Sequence, residues 1–243
     1  MSALAHYLEE EGVASVAISL IRPQTENTKP PRALWVPFEL GRPFGPPSDP
    51  GFQKRVILAA LQLLEREQGL VMIEDFPDDD PRAQPDPRWR PPAVPAPPAD
   101  TSAAALAAQL ETEIDVLASV HEDWLAQTGR TTVGVSGMAI TESARYIASW
   151  LHGTASSSPR EAFSAPLMLR FAIDDLKAYC LEAGAAGTAK PSSRQLGDWF
   201  WNDTAAGAAI QALRAAHLAS EDERLKLIAG NFLVPAARVR GSG

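Results

Sequence analysis

Two stretches of this chain concentrate side chains able to do chemistry. In the second half, His121 is followed by Glu122, Asp123 and Trp124, an imidazole beside two carboxylates and an indole. Shortly after comes "GRTTVGVSG" (129–137), which gathers Gly, Thr and Arg130 and resembles a helix least of any segment there. That composition suits a tight interhelical turn or a contact with a small anion, and we read it as the turn. His121, Trp124 and Arg130 are the candidate site residues of this half. In the first half, "RALWVPFELGRPFGPP" carries Arg32, Glu39, Gly41 and Arg42. A Pro-bounded, Gly-containing loop directly after a strand is where α/β folds place ligands. Arg42 has the planar fork that holds a carboxylate or phosphate bidentately. The competing reading is a rigid turn that delivers the chain to its next helix, and both stay open.

Other groups point away from catalysis. "GVSG" (134–137) lacks the G-x-S-x-G spacing of a nucleophile elbow and follows a helix and turn rather than a parallel strand. Ser136 therefore reads as the approach to a helix. Asp174 and Asp175 are paired carboxylates, but adjacent helical residues diverge by about 100°. They cannot both address one reacting atom. One should face solvent and the other an arginine such as Arg170 or Arg194. Cys180 is the single cysteine, which rules out an internal disulfide and a thiolate metal cage. Its setting reads as inert packing on an apolar helical face. No HExxH, CxxC, Walker or dinucleotide-type glycine loop is present. No catalytic residue, metal ligand or cofactor is assigned. Trp199 and Trp201 fall on different faces of one helix and read as core plus an interface patch.

The elements that must position these groups follow from composition and periodicity. The chain has 243 residues, 45% hydrophobic and 21% charged, with a net charge of −8 and 21 clustered prolines. The acidic balance argues against nucleic-acid binding, which needs a basic face. With no signal-peptide pattern and no apolar run of spanning length, the expectation is a cytoplasmic protein without a membrane segment.

Residues 1–76 read as helix, strand, strand, helix. Leu4, Tyr7 and Leu8 share a face ending at Gly12, "VASVAISLI" (13–21) and "RALWVPF" (32–38) are strands, and "RPQTENTKPP" is a loop. Asp49 caps a helix with Pro50 in its first turn and Phe52, Val56, Ala59, Ala60 and Leu63 as its stripe. Residues 77–100 are too proline-rich for helix or central strand and read as a semi-rigid linker. From 101 to 235 the pattern is helical. Leu106, Leu110, Ile114, Leu117, His121 and Trp124 recur at spacings of three and four, as do Ile140, Ala144, Ile147 and Leu151. Ser164 caps a helix through Tyr179, Ser192 and Gln195 form a capping box, Asp203 or Thr204 caps the next helix, and Ser220 with Glu223 forms a second box. Residues 236–243 read as a frayed tail. The expected fold is an α/β layer, partial and Rossmann-like, followed by an all-α bundle of five or six helices.

The segment from Leu8 to Glu65 also resembles a known family. Gly12 to Val16, Arg32, Pro37, Leu40, Gly41 and Pro43, then Val56 to Leu64, follow the ordered pattern of the C-terminal part of the glycine/sarcosine/betaine reductase selenoprotein B family, which is related to D-proline reductase. The resemblance covers roughly residues 3–76. It implies reductive cleavage, in which a selenolate, or a thiolate of lowered pKa, attacks carbon and displaces an amine or another leaving group. The family's Sec/Cys-x-x-Cys motif stands before the helix that opens this sequence, and residues 1–76 contain no cysteine. Two expectations follow. Either Met1 is an internal methionine behind an upstream selenocysteine codon, or the chain is a non-catalytic binding or scaffold subunit. The second would pair with a catalytic homologue, or with itself, through the exposed strand edge of the incomplete layer.

Overall fold

The computed structural model of the protein describes residues 2–66, 71–155 and 157–239. The chain separates into two compact units, Met1–Gln84 and Pro85–Gly243. It is a mixed α/β protein with most of its described residues in helix.

The first unit runs α1 (Ser2–Glu10), β1 (Ala17–Ser19), α2 (Arg22–Thr28), β2 (Arg32–Trp35), α3 (Pro50–Gln62) and β3 (Met72–Asp75). The strands form one parallel sheet in the order β1-β2-β3, with Ala17 opposite Ala33 and Ala33 opposite Ile73. Parallel neighbours need a crossover between them, and this corrects the reading of "RPQTENTKPP" as loop. Arg22–Thr28 is a helix because Pro23 stands in the first turn, where no N–H donor is needed. Lys29 closes it in the left-handed region at φ 45°, its N–H donating to the Thr25 carbonyl at 2.9 Å. β3 is a second element that the sequence reading passed over. α3 starts as expected: the Asp49 carboxylate accepts the Phe52 N–H at 2.9 Å.

The core of this unit joins Leu34, Val36 and Phe38 to Phe52, Val56, Ala60, Leu63 and Phe76. Phe38, Phe52 and Phe76 meet edge to face with centroids 5.5 to 5.9 Å apart. The loop above them is built around Gly45, at φ 85°, where a Cβ would lie 2.4 Å from the Phe52 ring.

The unit boundary divides the proline-rich segment expected as a tether. Pro81–Ala83 form a 3-10 turn in the first unit. Beyond it, Trp89 is buried in the helical core and donates its Nε1–H to the Gly184 carbonyl at 2.9 Å. The second unit holds α4 (Ala103–Thr128), α5 (Ile140–Leu151), α6 (Ala165–Gly184), α7 (Ser193–Asp203), α8 (Ala205–His217) and α9 (Glu223–Asn231). α4 packs on α5, α6 and α8, while α6 also touches α5, α7 and α9. Leu106, Leu110, Ile114 and Leu117 of α4 are all buried, as their spacing requires. The Ser192–Gln195 capping box forms, and Thr204, not Asp203, caps α8. Ser164 stands at the N-cap of α6 without a side-chain bond. The expected Ser220–Glu223 box is corrected: Asp222 is the cap of α9, accepting from Arg224 and Leu225. Of the expected tail, Ala236–Arg238 form a 3-10 turn and Arg238 pairs with Asp198. Residues 240–243 lie outside the described residues.

Candidate functional site

The first-unit candidates divide between the two ends of the sheet. Arg32 opens β2, so it sits at the amino edge of the parallel sheet. There its Nη1 meets Glu9 Oε1 at 2.5 Å and its Nη2 donates to the Arg66 carbonyl. Glu39, Gly41 and Arg42 follow β2 at the opposite, carboxyl edge. Arg32 cannot share a ligand with them.

At the carboxyl edge Arg42 lies 3.5 Å from Glu39 and 4.0 Å from the buried carboxylate of Asp80. The Arg42 N–H also donates to the Glu39 carbonyl, closing a turn in which Gly41 has φ 89°. The guanidinium is thus set between two carboxylates by its own loop. A second arginine that the sequence reading did not single out is held more tightly. Arg22 reaches across the edge to Asp75 at 2.5 Å, pairs with Glu26 at 3.1 Å and stands 5.1 Å over the Trp35 ring. Beside it the Ser19 and Thr25 hydroxyls share a hydrogen bond. The signal was present only as a lone Arg after one strand and a lone Asp at the end of another.

In the second unit the loop 131–138 is fastened by two carboxylates of α6. Asp175 is fully buried. Its Oδ1 accepts the N–H groups of Gly134 and Val135 at 2.7 and 2.9 Å, and its Oδ2 accepts the Ser136 N–H at 3.0 Å and hydroxyl at 2.5 Å. One carboxylate thereby fills a nest of successive main-chain donors. Asp174 behaves as one member of the pair should, facing Arg170 at 3.5 Å and Lys177 at 3.6 Å. Its neighbour departs from the expectation of a solvent-facing group. Ser136, also fully buried, has its hydroxyl bonded to Ser143 and Asp175, and among the described residues no histidine bonds to it. It is a structural hydroxyl.

Seven residues further along α6, Glu182 collects the rest of the loop. It accepts the Thr131 hydroxyl at 2.6 Å, the Thr132 N–H and hydroxyl at 2.7 Å, and contacts His121 Nε2 at 2.9 Å. Burial raises the Glu182 pKa, but these hydrogen bonds outweigh it and leave the carboxyl below its ordinary value. His121 is buried and stacks on Tyr179 at 4.4 Å. Trp124, one turn on, is half-buried, and Arg130 is exposed. The three second-unit candidates therefore differ in role: His121 belongs to the loop anchor, while Trp124 and Arg130 make no side-chain bond to it among the described residues.

The remaining acid of note is Glu113 on α4. Its carboxylate accepts the N–H groups of Ala205 and Ala206 at 2.6 and 3.1 Å, capping α8 from another helix. Burial pushes its pKa up to about 7 against the pull of those two bonds. Cys180 is fully buried, and burial with the nearby Glu113 pushes its thiol well above the ordinary value. Such a thiol is a poor nucleophile. Among the described residues no three His, Cys, Asp or Glu side chains gather as metal ligands, and no helix is long and apolar enough to cross a membrane.

Comparison with family models, with curated proteins and with solved structures finds no match to this chain.

Proposed function

We propose that this chain is a non-catalytic subunit of a selenol- or thiol-dependent reductase assembly, of the selenoprotein B type that its first 76 residues resemble. The observation that carries the reading is the sealed state of Cys180: the one cysteine lies inside the helical unit with its thiol pushed up, far from use as a redox nucleophile. The partner supplies the nucleophile. In the reaction class concerned, a selenolate or thiolate bonds to carbon as the C–N bond breaks, and the amine leaves with the bonding pair. This chain contributes scaffold and recognition.

The straight order β1-β2-β3 supports the same reading. A Rossmann-like sheet contains a point where strand order reverses, and ligands bind there. In this proposal β1-β2-β3 is one wing of such a layer, and the partner or a second copy adds its strand beside β1. The Ser19 carbonyl accepts from Val36 N–H, so the Ser19 main chain faces β2 and that of Ile18 faces the open side.

The test uses the full chain with dithiothreitol and glycine, sarcosine or betaine, alone and with a catalytic selenoprotein-B-type subunit. The expected outcome is no amine release by the chain alone and a complex with the catalytic subunit. Ile18→Pro, which removes an outward donor, abolishes that complex; Ile18→Ala, which loses only packing, keeps it. Amine release by the chain alone that Cys180→Ser removes overturns the proposal, as does failure of the two proteins to associate.

A further inference from the structure

A hollow of about 640 Å³ lies along the first turns of α5, within the size range of small-molecule sites. Its polar lining comes from Glu142, Arg145, Tyr146, Ser149 and Arg160. Elsewhere in this acidic chain arginines such as Arg22, Arg32, Arg55 and Arg66 meet a carboxylate at 2.5 to 2.7 Å. The two arginines of the hollow do not. The Arg145 side chain makes no hydrogen bond or ion pair among the described residues. Arg160 donates Nη1 to the Ser136 carbonyl at 2.9 Å, and its other guanidinium protons have no protein acceptor there.

Arg160 is nevertheless fixed. Its guanidinium lies 5.5 Å over the Phe163 ring, and Ser158 Oγ bonds both its N–H and its carbonyl, at 3.1 and 2.7 Å. It packs where the side chain of residue 137 would be: a Cβ on Gly137, itself at φ 68°, would lie 2.3 Å from Nη1. The carbonyl it grips belongs to Ser136, which Asp175 holds from inside. A cation positioned in this way before any ligand arrives binds with less ordering cost. The one carboxylate lining the hollow is already engaged, since Glu142 Oε2 accepts the Ala139 N–H at 3.0 Å as the cap of α5. Glu142 makes no ion pair with Arg145, although the two stand one turn apart.

We infer that this hollow binds a small oxyanion, a carboxylate or phosphate group held by Arg145 and Arg160. Guanidinium forks suit both. The site lies in the second unit and is independent of the reductase proposal.

Calorimetric titration of the full chain with inorganic phosphate and, separately, with succinate tests it, and the two probes tell which oxyanion is preferred. Saturable binding of at least one is expected. Arg145→Ala and Arg160→Ala each weaken it about tenfold, and Arg145→Lys retains part of the affinity because the charge stays while the fork is lost. Glu142→Gln tightens it severalfold by removing the opposing charge. Arg55→Ala, in the first unit, leaves it unchanged. Arg160 also supports the loop, so its variant is read only after a melt matching the parent; the exposed Arg145 variant stands without that condition. Absence of saturation with both probes, or unchanged affinity in Arg145→Ala, overturns the inference.

Discussion

Asp175 and Glu182 stand two turns apart on α6, and between them they accept from five residues of the 131–136 loop: Glu182 holds Thr131 and Thr132, Asp175 holds Gly134, Val135 and Ser136. Neither touches a loop carbonyl. Four of the loop's N–H groups, those of Thr132, Gly134, Val135 and Ser136, meet negative charge, which is why a segment so rich in Gly and Thr is ordered without belonging to a helix. It carries Arg160's acceptor on its far side.

Replacing the carboxylate by a group that also donates should therefore cost more than a surface change. Asp175→Asn sets an NH₂ against main-chain donors and is expected to destabilise the second unit by about 2–4 kcal/mol. Glu182→Gln should cost less, because Glu182 keeps 8% of its surface exposed and Asp175 none. Urea unfolding followed by tryptophan fluorescence measures both, and a smaller loss for Asp175→Asn than for Glu182→Gln would contradict this account.

Glu113 gives stability a pH dependence of unusual sign. Its folded pKa is raised from 4.5 to about 7. Between those values the native state holds more protons than the unfolded chain, so this residue's contribution falls as pH rises from 4.5 to 7 and is flat above. Glu182 acts oppositely: its folded pKa is lowered, so its contribution is present above its unfolded pKa and is lost as pH falls through the folded value. Stability measured from pH 4.5 to 8 should decline less steeply in Glu113→Gln than in the parent. Identical slopes would show that Glu113 does not titrate in that window.

Cys180 should react with a thiol reagent only through opening of the bundle, because it is fully buried and its thiol pKa is raised. Labelling with dithionitrobenzoate is expected to be slow in native buffer and fast in urea. Immediate stoichiometric labelling of the folded protein would remove the main support for a non-catalytic chain.

Two helical glycines should respond in opposite directions to alanine. A Cβ at Gly207 would lie 2.2 Å from the Phe200 carbonyl, where α8 crosses α7, and Gly207→Ala is expected to cost about 1–3 kcal/mol. Gly230, in α9, has open space around its Cβ position, so Gly230→Ala is expected to stabilise by about 0.5–1 kcal/mol. Thermal melts of the two variants should move apart around the parent.

The Pro-bounded loop after β2 marks Arg42 in the sequence, yet the tighter arginine contact at that edge is Arg22 with Asp75. These residues are 53 positions apart, and β3, which brings Asp75 to the edge, is four residues long with little alternation to mark it. Arg32 and Arg42 looked like one cluster because ten positions separate them; a strand between them sends them to opposite ends of the sheet. The second helix was hidden for a different reason. "RPQTENT" mixes the helix formers Arg, Gln and Glu with Pro, Asn and two Thr, which are weak ones, and the need to cross between two parallel strands outweighs those four.

What the sequence by itself determined is what acts over three or four residues: the cap at Asp49, the Ser192–Gln195 box, the buried stripe of α4, and the division of one Asp pair onto diverging faces. Those interactions close within a helical turn, so spacing alone specifies them. Only the tertiary structure decided where the buried carboxylates go. Asp175 to Ser136, Glu182 to Thr132 and Glu113 to Ala205 span 39, 50 and 92 positions. A carboxylate carries no sequence mark of its distant partner; desolvation in a packed core compels it to find main-chain donors there, and packing chooses which.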